Sequence, residues 1–166
     1  MKTLMRGGVP AVAGVAVAAL LAGCSAHPGT AAIVDGRTIS QEYLDETYDD
    51  ANAQGIAIDK PTMLVLIIAA PYFIEAADES GVGVSVGEAR TAAESLTEGA
   101  GAGFVEFLRL QLALQNLRNL PDGDAMILEI DQRVRALEMD INPRYGELNP
   151  DTAEIARAPV PWIVDG

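Results

Sequence analysis

Carboxylates are the commonest side chains able to do chemistry in this sequence of 166 residues, which has 24 acidic residues but one histidine and one cysteine. Their densest group is Glu42, Asp45, Glu46 and Asp49, whose spacing places all four on one face of a helix. General acid catalysis needs a buried carboxylate with a raised pKa. A dense acidic face in a polar segment is more typical of a solvated surface, so we predict no catalytic site there.

Other patterns that could bind a ligand fail on their spacing. The Asp-Gly-Asp sequence at 122–124 lacks the later oxygen ligands of a calcium loop, because Met126 and Leu128 stand at those positions. The glycine-rich segment 99–103 has neither the preceding strand nor the following lysine of a phosphate-binding loop. His27 has no triad partner at a suitable spacing, and the net charge of −13 argues against nucleic acid. We therefore predict no enzyme, cofactor, metal or nucleic-acid partner.

The single cysteine, Cys24, has the most definite chemical role. The tetrapeptide that it ends, Leu-Ala-Gly-Cys, resembles the bacterial lipobox, in which the thiol takes a diacylglyceryl group before cleavage by the lipoprotein signal peptidase. Lys2 and Arg6 give a positive start, and the apolar run 9–22 suits a signal peptide but is too short to span a membrane. We predict a signal peptide at 1–23 and lipid anchoring through Cys24 on the extracytoplasmic side of the cell membrane, in the periplasm or cell envelope. An ordinary secretion signal is the alternative.

The remaining chain has the pattern of a helical domain. Hydrophobic residues make up 49% of the sequence, enough for a packed core. We predict an all-α fold, a compact bundle of about five helices with one short N-terminal strand. The strand is expected at 31–34 and the helices at 41–53, 62–77, 86–96, 104–120 and 125–140.

The domain has a predicted tether on one side and a tail on the other. The tether is 24–30, the domain 31–146 and the extended tail 147–166. A partner for the short strand is expected from Glu147–Leu148 or from Trp162–Val164 in the tail.

Helix boundaries follow from capping and breaking residues. Ser40 precedes the first helix, Ser85 and Glu88 match a capping box, and Asp124 is the expected N-cap of the last helix. The second helix is apolar nearly all round, but it is short for a membrane span and acidic residues follow it at once. We therefore predict a buried central helix, with a kink at Pro71.

The order of these elements resembles the N-terminal domain of SurA-type periplasmic chaperones. Residues 32–45 (Ala-Ile-Val-Asp-Gly-Arg-Thr-Ile-Ser-Gln-Glu-Tyr-Leu-Asp) are similar to the family's opening strand, two-residue turn, capping serine and helix. The long apolar helix then leads into 79–85 (Glu-Ser-Gly-Val-Gly-Val-Ser), which resembles the family's junction. The segment 142–146 (Asn-Pro-Arg-Tyr-Gly) resembles the one that closes such domains in actinobacterial lipoproteins.

The resemblance implies a helical domain of the SurA and trigger-factor kind that binds unfolded or exported polypeptides in apolar clefts between helices. Relatives often carry a parvulin prolyl isomerase domain after this point. Here 20 residues follow Gly146 and His27 is the single histidine, so we expect no isomerase activity. The alternative function is that of a structural or interaction lipoprotein that docks on one specific envelope partner.

The side chains expected to contact a client are one methionine and five aromatic residues. They are Met63, Tyr72, Phe73, Phe104, Phe107 and Trp162. Core packing is the competing explanation for the methionine and aromatic positions. Trp162 either pins the tail to the bundle or serves as a binding anchor.

Overall fold

Helices form most of the described fold, and strands occur near its two ends. The computed structural model describes residues 28–149, 152 and 154–156. The helices are α1 (Gln41–Ala53), α2 (Lys60–Glu79), α3 (Val86–Leu96), α4 (Ala102–Arg118) and α5 (Gly123–Arg135). The strands are β1 (Thr30–Val34), β2 (Arg37–Ser40), β3 (Met139–Ile141), β4 (Glu147–Asn149) and β5 (Glu154–Ala156). The predicted helical bundle is confirmed, with more strand than the single one expected.

Three of the strands form an antiparallel sheet in the order β2-β1-β3. Asp35 and Gly36 join β1 to β2, and both have a positive φ, as a tight two-residue hairpin turn requires. On the other edge of β1, Val34 lies opposite Met139 and Ala32 opposite Ile141. β1 is therefore the central strand, and both of its edges are paired.

The predicted pairing of β1 with Glu147–Leu148 is wrong. Glu147–Leu148 belongs to β4, which pairs with β5 in a separate hairpin. The other expected partner, Trp162–Val164, lies outside the described residues. Pairing of β1 with β2 is favoured because a two-residue turn closes a far smaller loop, at a lower entropy cost, than a return from the tail would.

The last helix is shorter than predicted and begins earlier. α5 spans Gly123–Arg135 with Asp122 at its N-cap, so the expected helix over 125–140 and the cap at Asp124 are both wrong. The chain leaves the helix and becomes β3, where Asp35 N donates to Glu138 O at 3.0 Å and Asn142 N donates to Ala31 O at 2.9 Å. Leu137 and Ile141 fit a helical period, but the backbone N–H and C=O groups of this segment form their hydrogen bonds with β1 instead of within a helix.

The other helices agree closely with their sequence signals. α1 has the predicted bounds, and Ser40 Oγ accepts a hydrogen bond from Tyr43 N at 3.1 Å. The capping box of α3 is formed, since Ser85 Oγ accepts from Glu88 N at 3.2 Å and Ser85 N donates to the Glu88 carboxylate at 2.9 Å. α2 and α4 each begin two residues before the expected position, at Lys60 and Ala102. Side-chain and backbone caps thus set most of these boundaries.

The second helix, α2, is the centre of the core. It contacts α1, α4, α5 and β5, and it continues through Pro71. Its buried side chains are Met63, Leu64, Ile67, Ile68, Ala69, Ala70, Phe73, Ile74 and Ala77. Among the described helices α2 is long and apolar enough to cross a membrane, a property that core helices of globular domains share. Its packing on three helices agrees with the predicted buried central helix.

Candidate functional site

A groove of about 760 Å³ opens between α2, α3 and α4. Its apolar lining consists of Pro71, Ile74, Val86, Ala102 and Val105. Its charged lining consists of Glu75, Asp78, Glu79, Arg90, Glu106 and Arg109. A concave site of this size with an apolar lining and several charged groups has the form of a ligand or peptide site.

Helical periodicity brings these residues to one place. α2 contributes positions 71, 74, 75 and 78, with 79 beside them, and α4 contributes positions 102, 105, 106 and 109. Both sets follow the spacing i, i+3, i+4, i+7, which lines up side chains along one helix face. α3 adds Val86 and Arg90, one turn apart. The groove is thus formed by three facing stripes, each of which mixes apolar and charged residues.

Arg109 on α4 fixes the junction between α2 and α3. Its Nε donates to Val84 O at 2.5 Å and its Nη2 donates to Asp78 Oδ2 at 3.1 Å. About two helical turns further along α4, Asn116 Nδ2 donates to Val82 O at 2.9 Å. Gly83 is required in this junction because a Cβ there would clash with the Asp78 carboxylate. These contacts hold the α3 wall of the groove at a fixed position relative to α4.

Glu106 is held from behind by α1. The Tyr43 hydroxyl donates to Glu106 Oε2 at 2.9 Å, and burial, followed by the nearby Glu106 charge, raises the pKa of Tyr43. The phenol therefore stays protonated at neutral pH and remains a hydrogen-bond donor. Beside it, α1 and α4 approach so closely that a Cβ on Gly103 would clash with Thr47 Oγ1. The groove thus has a rigid wall on its α4 side.

The remaining charges of the groove are unpaired. Within the described residues, Glu75, Glu79 and Arg90 are exposed and take part in no ion pair. Arg109 is paired with Asp78. Among the described residues, the side chain that donates a hydrogen bond to Glu106 is the neutral phenol of Tyr43. The groove therefore keeps an excess of negative charge that its own residues do not neutralise.

Four of the predicted client-binding side chains lie in the core. Met63 and Phe104 are fully buried, and Phe73 and Phe107 are at most 8% exposed. The Phe104 and Phe107 rings stack with their centroids 6.2 Å apart. Tyr72 is half-buried and faces α5, with the Arg133 guanidinium 5.7 Å from its ring centroid. In the described fold these side chains pack the domain, as the competing explanation held.

None of the other candidate side chains that the structure describes lines the groove. Cys24, His27 and Trp162 are outside the described residues. In the acidic segment of α1, Asp45 forms an ion pair with Lys60 at 2.7 Å, and both side chains are exposed to solvent. Nowhere in the described part of the chain do three or more histidine, cysteine or acidic side chains converge as a metal site would need.

Sequence reasoning missed the groove because its stripes are not apolar. Ile74 appeared as part of a buried helix, and Asp78 and Glu79 appeared only as acidic residues that follow that helix. A usable signal exists in hindsight, since α2 and α4 repeat the same order of two apolar and two charged residues at the same spacing. Comparisons with protein-family models, with curated proteins and with solved structures found no match to this chain.

Proposed function

We propose that this chain is a lipid-anchored, extracytoplasmic domain of the SurA-like kind that binds exposed segments of other polypeptides without isomerase catalysis. The observation that carries the proposal is the groove between α2, α3 and α4. Its volume of about 760 Å³ is large enough for several side chains of a bound segment. The groove, rather than the buried aromatic residues, is the proposed contact surface.

The apolar contact in the groove centres on Val86. Val86 is 53% exposed, while Ile74 and Val105, which also line the groove, are buried. Covering the exposed half of Val86 with an apolar side chain would stabilise a complex by roughly 1 kcal/mol. A single contact of this size supports weak, reversible binding, as a domain that handles many exported clients needs.

Docking on one specific envelope partner is the second candidate. It is favoured by the closed core, because the described surface exposes only three large apolar side chains, Val86, Leu96 and Leu128. A site with little apolar area gains its affinity from charge and shape, and these properties select particular sequences. Crosslinking in intact cells separates the candidates, since a broad set of captured proteins supports client binding and one stable partner supports docking.

Replacing Val86 by glutamine tests the groove directly. We expect binding of a labelled apolar peptide, measured by fluorescence anisotropy, to weaken several-fold. Leu128→Gln is the matched control, because Leu128 is 57% exposed on a helix that does not line the groove. Equal binding by Val86→Gln and the wild type would exclude the groove as the contact surface.

Replacing Cys24 by serine tests the anchor separately. The thiol is the acceptor of the lipid in the proposed maturation, so Cys24→Ser should release the protein from membranes or leave its precursor uncleaved. Membrane fractionation and the mass of the mature protein report the two outcomes. Unchanged anchoring would exclude the lipoprotein assignment and leave the groove proposal standing.

A further inference from the structure

We propose that the groove selects polypeptide segments in which basic residues adjoin an apolar residue. This proposal rests on the proposed function, because it assumes that the groove binds polypeptide, and it adds the chemistry of the preferred segment. The apolar side chain would lie against Val86, and the basic side chains would lie along α2.

The charge of the groove favours cations. Of its six charged residues, Asp78 and Arg109 neutralise each other across 3.1 Å. Glu75, Glu79 and Glu106 then face a single guanidinium, that of Arg90. Arg90 lies on α3 and forms no ion pair with Glu75 or Glu79. The α2 wall therefore carries two unpaired carboxylates. A basic side chain entering along α2 therefore has two carboxylates to meet.

The negative charges of these carboxylates destabilise the end of α2 when no cation is close to them. Glu75 and Glu79 are four residues apart on one helix, a spacing at which like charges repel. Asp78 and Glu79 also lie in the last turn of α2, at the negative end of its dipole, and this turn contains no basic residue. A cation from a bound segment would reduce both of these unfavourable interactions. Binding of a basic segment is therefore favoured by negative charge that the fold itself does not neutralise.

The test compares the full-length chain with peptides that differ only in charge. Three short labelled peptides share the same apolar residues and carry lysines, glutamines or glutamates beside them. We expect the lysine peptide to bind about tenfold more tightly than the glutamine peptide, and the glutamate peptide to bind most weakly. The preference should shrink as the salt concentration rises, because the carboxylates are exposed and screened.

Two double variants locate the selectivity. Glu75→Gln with Glu79→Gln should abolish the preference for lysine, so that the lysine and glutamine peptides bind this variant equally well. Glu94→Gln with Glu98→Gln is the control, because both side chains are exposed, stand four positions apart in the sequence and lie outside the groove. Circular dichroism shows that each variant is folded before binding is compared.

The outcomes separate this inference from the function on which it rests. Equal binding of all three peptides would overturn the charge selectivity and support apolar binding in the groove. A lysine preference that survives in Glu75→Gln with Glu79→Gln would overturn the assignment to α2, since the whole acidic surface would then be responsible. No binding of any peptide would overturn the proposed function and this inference together.

Discussion

Replacing Gly103 by alanine tests the close approach of α1 and α4 that supports the groove from behind. A Cβ on Gly103 would clash with Thr47 Oγ1 and would lie 3.2 Å from Tyr43 Cζ. Thr47 is fully buried, and its hydroxyl donates to Tyr43 O at 2.7 Å. Moving it aside therefore breaks a hydrogen bond inside the core, while moving α4 aside shifts one wall of the groove.

The expected loss of stability follows from three contributions. Alanine gains about 1 kcal/mol over glycine in helix propensity. Overpacking a core costs about 1–3 kcal/mol, and losing the Thr47 hydrogen bond costs about 1 kcal/mol more. Gly103→Ala should therefore lower the free energy of unfolding by roughly 2 kcal/mol, measured by urea denaturation with far-ultraviolet circular dichroism.

Gly87→Ala is the matched control, because Gly87 is also the second residue of its helix and the nearest atom to its added Cβ is Ser85 Oγ at 3.9 Å. That variant should be up to about 1 kcal/mol more stable than the wild type. Adding Thr47→Ala to Gly103→Ala removes the clashing oxygen. The double variant should therefore lose less free energy of unfolding than the two single variants lose in sum, by at least about 1 kcal/mol. Equal stability of Gly103→Ala and Gly87→Ala, or strict additivity in the double variant, would refute the proposed clash between Gly103 and Thr47.

Three further predictions concern the hydrogen bonds around the groove and the helix caps. Arg109→Met should lower the free energy of unfolding by about 1–2 kcal/mol and speed amide exchange at 82–84, because it frees the junction before α3; unchanged exchange would contradict this role. Burial raises the pKa of Tyr43, so the protonated phenol stabilises the fold fully below the ordinary pKa of 10.0, and this contribution is lost as the pH rises through the higher folded value. The urea midpoint should thus fall more steeply above pH 10.0 in the wild type than in Tyr43→Phe, and equal slopes would refute it. Asp59→Ala removes the N-cap of α2 and should lower the free energy of unfolding by about 1 kcal/mol at neutral pH. Because the hydrogen bond from Thr62 lowers the pKa of Asp59, the difference from the wild type should disappear as the pH falls below 3.8 through the folded value. A difference that persists at that pH would argue against the cap.

Local signals in the sequence predicted the helices well. The bounds of α1 and the capping box of α3 agree with the structure, because each depends on residues within one turn of the boundary. Ser40 and Ser85 cap their helices through bonds to residues three positions away. Such contacts need no knowledge of the rest of the fold.

The errors arose where distant residues decide the structure. The segment from Leu137 to Ile141 fits a helical period, but its pairing with β1 joins positions more than 100 residues apart, which periodicity does not report. The groove was missed for a similar reason. Val86, Glu75 and Glu106 belong to three helices, and each residue by itself is an ordinary surface residue.

The central place of β1 in its sheet has a consequence for the order in which the chain can fold. β1 and β2 are synthesised first, but a hairpin of this length is only marginally stable alone. The second edge of β1, along Ala32 and Val34, stays open until Met139–Ile141 has been synthesised. An open, apolar strand edge is prone to pair with other chains. A nascent chain stopped before residue 139 should therefore aggregate, and one extended past residue 142 should become protease-resistant in a single late step.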